Sequence, residues 1–257
     1  MTFMEEKKTP LTYRILIFFI KLFSPKYEIT GTENIPEGPC IIAGNHSQMY
    51  GPIAAEFYTP GPHYIWCEAE MMVKEEVQEY AFRDFWSGKP GFIRWYFKLL
   101  SYLIVPISEL LFNNAHTIGV RHDMRVIGTF RETVEKLRQG YRVVIFPEDY
   151  DEHNNIVHDF RDKFIDTARF YYKKTGEELV FVPMYLCPRL RKMIFGAAVR
   201  FDASAPIDQE RRRIADHLMD EITRIAIELP EHVIVPYPNI PKKDYPRSRP
   251  LKEYPHV

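Results

Sequence analysis

The sequence predicts an α/β fold: a mixed, mostly parallel central sheet flanked by helices, with an amphipathic helix near the N-terminus. Three observations predict it. Short apolar runs bounded by turn residues, such as Cys40-Ile41-Ile42-Ala43 and Tyr141-Arg142-Val143-Val144-Ile145, read as buried strands. Segments with apolar residues at helical spacing separate them, as at Ile127, Phe130, Val134 and Leu137. The alternation of the two kinds of segment places helices on both faces of a sheet. No internal repeat interrupts it, and 257 residues suit one large domain.

Leu11 to Phe23 is apolar and helical, and Ser24-Pro25 ends it. Lys7, Arg14 and Lys21 recur every seven residues, about 20° apart on a helical wheel, so they form one stripe. Ile15, Ile17, Phe18, Phe19, Ile20, Leu22 and Phe23 fill much of the rest, as in a helix that lies at a lipid surface or packs on its own domain. Tyr27-Glu28-Ile29-Thr30 is a short strand, and Glu33 to Pro39 a turn-rich loop. After the strand at 40–43 come Asn45-His46, then a helix from Ile53 to Tyr58 with Pro52 in its first position and Gly51 as N-cap. Tyr64-Ile65-Trp66-Cys67 reads as a strand and Met71 to Trp86 as a polar helix. Ile93 to Phe112 is apolar and aromatic but is divided by Pro106, so a buried or interfacial helix pair is expected.

A helix at 127–137 stops at Gly140. The strand at 141–146 leads into Pro147-Glu148 and a polar loop, Asp149 to Asp159. A helix from Lys163 to Lys174, strands at 179–186 and 193–201, and a helix from Glu210 to Ile227 complete the series. The proline-rich tail from Leu229 should be extended and wrapped on the surface. The chain thus divides into a membrane-contacting segment at 1–26, a main domain at 27–228 and a basic tail at 229–257.

The best candidate for a spanning helix, Leu11 to Phe23, has 13 residues and contains Arg14 and Lys21. At about 1.5 Å per residue it falls short of a hydrocarbon core of about 30 Å. It lacks a small-residue cleavage site and does not read as a signal peptide. Cys40, Cys67 and Cys187 share no ligand-like spacing, which suits a reduced, cytoplasmic compartment. The net charge of −1 conceals two basic ends: residues 1–26 and 237–257 each carry a local +3. Basic ends on an acidic body argue against nucleic acid as a partner, since a groove for it wants a continuous basic face. They suit peripheral contact with anionic lipid on the inner face of the cell membrane.

Two short stretches carry the chemistry. Asn45-His46 and Phe146-Pro147-Glu148 each follow a buried strand, at the carboxyl edge where α/β sites are usually built. A neutral imidazole titrates near 6.5 and can accept a hydroxyl proton at pH 7. His46 precedes a helix start, whose dipole disfavours the imidazolium. Position 51, where an aspartate would orient such a histidine, is Gly51. Glu148, Glu56, Glu68, Glu70 or water could stand in, and location favours Glu148. His153 and His158 with Asp149 and Asp151 lack fixed helical geometry and read as a solvated loop, not a metal site. No glycine-rich phosphate loop precedes a helix, and no cofactor is expected.

At these residues the chain resembles the lysophospholipid and glycerol-phosphate acyltransferase superfamily. The family's Asn-His, four residues, then Asp stands here as Asn45-His46-Ser47-Gln48-Met49-Tyr50-Gly51. Its glycine-then-arginine block is matched by Ile118-Gly119-Val120-Arg121, and its Phe-Pro-Glu-Gly-Thr-Arg by the first half of Phe146-Pro147-Glu148-Asp149-Tyr150-Asp151. Its Val-Pro pair is Val182-Pro183-Met184. The order of these blocks over about 140 residues carries the resemblance. It implies a glycerol-3-phosphate acyltransferase-like fold and transfer of an acyl group from acyl-CoA or acyl carrier protein to a lysophospholipid hydroxyl. His46 would be the general base and Glu148 would shape the acceptor site as its catalytic partner. Arg121 would bind phosphate, with Asn45, Phe146 and Pro147 lining the substrate site. The resemblance departs at Gly51, Asp149 and Asp151, which leaves room for a catalytically silent lipid-binding member or for a neutral or glycosylated acceptor.

Overall fold

The computed structural model describes residues 10–86, 88, 90–121 and 125–252. The first nine residues of the expected membrane segment, with Lys7 of its basic stripe, lie outside the described residues, as does the end of the tail from 253. Along the chain run α1 (Leu11–Phe23), β1 (Glu28–Thr30), β2 (Cys40–Gly44), α2 (Tyr50–Tyr58), β3 (His63–Glu68) and α3 (Lys74–Ala81). Then come α4 (Arg94–Phe112), β4 (Thr117–Val120), α5 (Val126–Arg138), β5 (Arg142–Ile145), β6 (Glu148–Glu152) and β7 (His158–Phe160). The last are α6 (Asp166–Thr175), β8 (Val180–Cys187), β9 (Lys192–Phe195), β10 (Val199–Arg200) and α7 (Ile207–Glu228). The fold is α/β with a mostly parallel sheet. It divides into two compact units, Met1–Ser24 with Cys67–Arg121 and Pro25–Trp66 with His122–Val257. Residues 67–121 therefore group with the N-terminal helix, where boundaries at 26 and 228 were expected.

In the larger unit the strands lie in the order β1-β9-β8-β2-β5-β3, with β10 also on β8. The pairs β8–β2, β2–β5, β5–β3 and β1–β9 are parallel, while β9 and β10 run antiparallel to β8. β2 is central and buried along its whole length, which is why it reads as an unbroken apolar run. Its register sets Ile42 level with Val144 and Val182 on one face. There they close over Ala54 and Ala55 of α2 in a core with Tyr27, Ile65, Met184 and Phe195. Ile41, level with Val143 and Phe181, belongs to the opposite face. On that face Phe181 meets Phe164 edge-on at 6.0 Å. α7 packs on β8 and buries Ile214, Leu218 and Ile222, a stripe at four-residue spacing.

The smaller unit is built the other way round. α1 buries only Tyr13, and α4 buries only Ser101 and Ser108. The inner face of α4 is held by polar contacts: Ser108 Oγ donates to the Met71 carbonyl (2.8 Å) and Gln78 Nε2 to Ser101 Oγ (2.9 Å). Trp95, Tyr96, Leu99, Tyr102, Leu103 and Ile107 are exposed on α4, and Leu11, Ile15, Phe18, Phe19, Leu22 and Phe23 on α1. Among the described residues one helix, Gly91–Phe112, is long and apolar enough to cross a membrane.

Several elements differ from expectation. The helix pair at 93–112 is one helix, because Pro106 and Tyr102 lie on its exposed side. The carbonyl that the proline leaves without an amide, four residues back, can there be solvated. The helix expected at 71–86 is shorter, with a 3₁₀ turn before α3 and a π-helical turn, Phe82–Trp86, after it. β4 was not foreseen, and the strand expected at 193–201 breaks into β9 and β10. The largest difference is the polar loop at 149–159, which is the hairpin of β6 and β7. Its tip is buried from His153 to His158, because Asn154 satisfies it internally. Asn154 Oδ1 accepts from the amides of Ile156 (2.8 Å) and Val157 (3.1 Å), and Nδ2 donates to Thr223 Oγ1 of α7 (2.8 Å).

Candidate functional site

β2 and β5 end side by side, and the turns that follow them, Asn45-His46 and Phe146-Pro147-Glu148, meet in the larger unit. The first turn is tight. Ser47 (φ 46°) and Gln48 (φ 53°) both occupy the left-handed region, which costs about 1–3 kcal/mol per residue and persists only where neighbours over-determine it. Two side chains do so. Asn45, 2% exposed, donates from Nδ2 to Ser47 Oγ (2.8 Å) and to the Leu186 carbonyl (3.0 Å), and its Oδ1 accepts from the Leu186 amide (2.7 Å). Its polar atoms thus clamp the turn to β8, where substrate contact was expected of them.

The second clamp is Glu148, 4% exposed. Its Oε1 accepts from the His158 amide at 2.9 Å and its Oε2 from the main-chain amide of His46. The carboxylate and His46 do meet, but at the backbone. This corrects the expectation that Glu148 replaces the missing aspartate on the imidazole. His46 Nδ1 is sealed from water and has no hydrogen-bond partner, whereas Nε2 is not sealed. The ring is enclosed by aromatic edges instead, with Phe146 at 5.3 Å and Tyr237 at 5.5 Å between centroids, both T-shaped.

The missing aspartate has a steric cause. Gly51 is buried at the start of α2, and its amide donates to the His46 carbonyl at 3.0 Å. A Cβ at position 51 would meet that carbonyl oxygen at 2.2 Å and Phe146 Cε1 at 3.0 Å. The backbone curls too tightly here to carry any side chain. α2 begins at Tyr50, three residues before Ile53, where the sequence suggested its start.

Burial sets the electrostatics. It pushes the His46 imidazole down to about 4, while the backbone at residues 48 and 46 pulls the other way. Burial also pushes the Glu148 carboxyl up to about 7, against the two amides that favour its charged form. At neutral pH the imidazole is uncharged, so Nε2 has its lone pair available to a proton, but the same burial makes it a weaker base than a free imidazole. Cys40, Cys67 and Cys187 form no disulfide, and burial pushes the Cys40 thiol up to about 12 and that of Cys187 upward, away from the nucleophilic thiolate.

Phe146 and Pro147 lie in the same turn as Glu148, with Phe146 against the imidazole. Arg121, expected to bind phosphate, belongs to the smaller unit and pairs there with Glu76 at 3.3 Å. Asp149 is on β6, bonded to Arg161 at 2.9 Å. His153 lies 3.9 Å from both Asp159 and Asp220, and among the described residues no His, Cys, Asp and Glu cluster could hold a metal. Tyr237 was missed by sequence reasoning, although a tyrosine between Pro236 and Pro238 is a rigidly presented ring.

No family model matches the chain, and no curated protein does. Among solved structures it is similar to the crystal structure of the 1-acyl-sn-glycerophosphate (LPA) acyltransferase PlsC from Thermotoga maritima. The identity is 15% and the TM-score 0.48, over 85% of this chain and 81% of that one.

Proposed function

We propose that the protein is an acyltransferase that moves a fatty acyl group from acyl-CoA or acyl carrier protein to the hydroxyl of a lysophospholipid at a membrane surface. One observation carries it: a neutral imidazole with an unsealed Nε2, at the carboxyl edge of a parallel sheet, beside Phe146-Pro147-Glu148. Nε2 of His46 takes the acceptor hydroxyl's proton as its oxygen attacks the thioester carbonyl. The tetrahedral adduct collapses, the C–S bond breaks, and the imidazolium returns the proton to the leaving thiolate. No covalent enzyme intermediate is needed. Asn45 and Glu148 keep the strained turn in place so that the imidazole need not reorganise. The order of the four sequence blocks supports the acyl chemistry, and the apolar outer faces of α1 and α4 support the membrane surface.

A second reading, a weak or silent lipid-binding protein, is favoured by the orphaned Nδ1 of His46. Loss of a histidine-orienting carboxylate can cost about four orders of magnitude, as in serine proteases. The deciding experiment supplies purified protein with labelled acyl-CoA and acyl carrier protein thioesters, against a panel of lysophospholipids and neutral glycolipids. Label in lipid product with the wild type and none with His46→Ala supports the enzyme. No transfer in any arm, with vesicle binding intact, leaves the lipid-binding reading.

A further inference from the structure

The tail is more than surface wrapping. Residues 232–234 and 246–248 pair antiparallel: the Ile234 amide donates to the Pro246 carbonyl (2.9 Å) and the Ser248 amide to the His232 carbonyl (2.9 Å). The base of this loop is fastened to the core. His232 Nδ1 donates to the Pro230 carbonyl (2.7 Å), which leaves Nε2 to accept from the buried Tyr185 hydroxyl (2.6 Å). Asn155, at the tip of the β6–β7 hairpin, donates to the carbonyls of Arg247 and Pro250. The stretch 235–245 is thus a strap with two fixed ends.

Its middle lies over the site. Gln48 Nε2 donates to the Tyr245 hydroxyl (3.0 Å) and the Pro238 carbonyl (3.4 Å), so the strap is tied to the left-handed turn next to His46. Just before the tie at Pro238, Tyr237 turns its ring against His46 (5.5 Å), Tyr150 (5.4 Å) and His158 (6.2 Å). Phe146 covers the imidazole from β5. An imidazole with no carboxylate on Nδ1 must be oriented by something else, and these two rings both pack edge-on against it.

We propose that Tyr237 is a positioning residue: from the C-terminal strap, and with Phe146, it fixes the His46 imidazole by aromatic contact in place of an orienting carboxylate. This rests on His46 being the base of the proposed transfer. The ring is what matters, because an aromatic edge both confines the imidazole and keeps water from Nδ1.

The test follows the His46 imidazole by NMR titration, its signals assigned by their loss in His46→Ala, in wild type, Tyr237→Phe and Tyr237→Ala. Glu148, His158 and Tyr150 face the same cluster, so the comparison is made within this series alone. The wild type should titrate near 4 and Tyr237→Phe with it, while Tyr237→Ala rises toward 6.5 as water reaches the ring. In the transfer assay Tyr237→Ala should lose about tenfold or more in kcat with little change in KM, and Tyr237→Phe should keep both. If alanine unfolds the strap, Tyr237→Leu takes its place with a different readout: the apolar bulk keeps the imidazole near 4, but without the ring its NMR signals should show more than one orientation and kcat should fall. An unshifted imidazole in the folded alanine variant, or a singly oriented imidazole in the folded leucine variant, overturns the proposal. A shifted imidazole with no transfer even in wild type upholds the positioning role and removes the acyltransferase reading.

Discussion

Glu148 holds His46 by its main-chain amide, and the imidazole has no acid of its own. The carboxylate spans two chain segments, because its other oxygen takes the amide of His158 on β7. It therefore fixes where the turn after β2 lies relative to the β6–β7 hairpin, and that hairpin in turn fastens the strap through Asn155. Base, hairpin and strap are one connected structure, with a buried charge at its centre.

Replacing that charge should show its worth. In Glu148→Gln the amide oxygen can still accept one backbone N–H, but the NH₂ group faces the other and leaves it unsatisfied. At pH 8 the variant should lose most of its acyl transfer, while its stability stays near that of wild type, because relief of the buried carboxylate's desolvation offsets the orphaned amide. Glu148→Ala, which orphans both amides, should lose about 1–3 kcal/mol in urea unfolding. Equal stability of wild type and Glu148→Ala would mean that the carboxylate holds neither segment.

The two shifted groups act on stability in opposite directions. Folding lowers the His46 pKa from 6.5 to about 4, so its contribution is full above pH 6.5 and is lost as pH falls toward 4. Folding raises the Glu148 pKa from 4.5 to about 7, so its contribution is full below pH 4.5 and is lost as pH rises to 7. Between 4.5 and 6.5 the slopes largely cancel. Variants separate them. The stability of wild type relative to His46→Gln should grow as pH rises from 4 to 6.5. Relative to Glu148→Gln it should shrink from 4.5 to 7, each change on the order of 3 kcal/mol. Urea titrations at five or six pH values measure both, and two flat difference curves would exclude the burial of these groups.

Restoring an aspartate at position 51 should harm the protein. The obstacle is the Cβ, 2.2 Å from the His46 carbonyl oxygen, so Gly51→Ala and Gly51→Asp should both destabilise, by about 1–3 kcal/mol or more. Both should lower transfer by displacing His46. A Gly51→Asp variant that is more active than both wild type and Gly51→Ala would show that the turn can open and that the imidazole lacks only its acid.

The strands and the two site turns were legible because they are local: β2, β5 and β8 are short apolar runs, and His46 and Glu148 stand directly behind two of them. What the sequence hid depends on partners far along the chain. The stretch 149–159 is polar by composition, yet Asn154 and Asn155 spend their hydrogen bonds on Thr223, on their own hairpin and on the tail. Glu148 was placed correctly, but the atom it would meet could not be read, since backbone amides leave no mark in a sequence. The strap was invisible for a related reason. Its contact with His46 spans nearly two hundred residues and is made by an aromatic ring without motif or spacing.

The smaller unit makes the last prediction. A helix in water hides its apolar face, whereas α4 hides serines and exposes Trp95, Leu99 and Leu103, and α1 beside it exposes Phe18 and Leu22. An apolar partner is the medium in which that arrangement is stable, and Arg14 and Lys21 on α1 favour an anionic one. Each Lys or Arg near such a surface is worth about 1 kcal/mol, and each inserted Leu or Phe about 1.5–3 kcal/mol. The pairs Phe18→Glu with Leu22→Glu, and Leu99→Glu with Leu103→Glu, should each cut co-sedimentation with anionic vesicles by about tenfold or more. These side chains are 58–63% exposed, so thermal stability should hardly change. Added salt should weaken binding of the wild type, through the basic residues. If only the α1 pair matters, α1 alone makes the contact and the apolar face of α4 serves another partner. If neither pair changes sedimentation, the membrane is not what covers these helices.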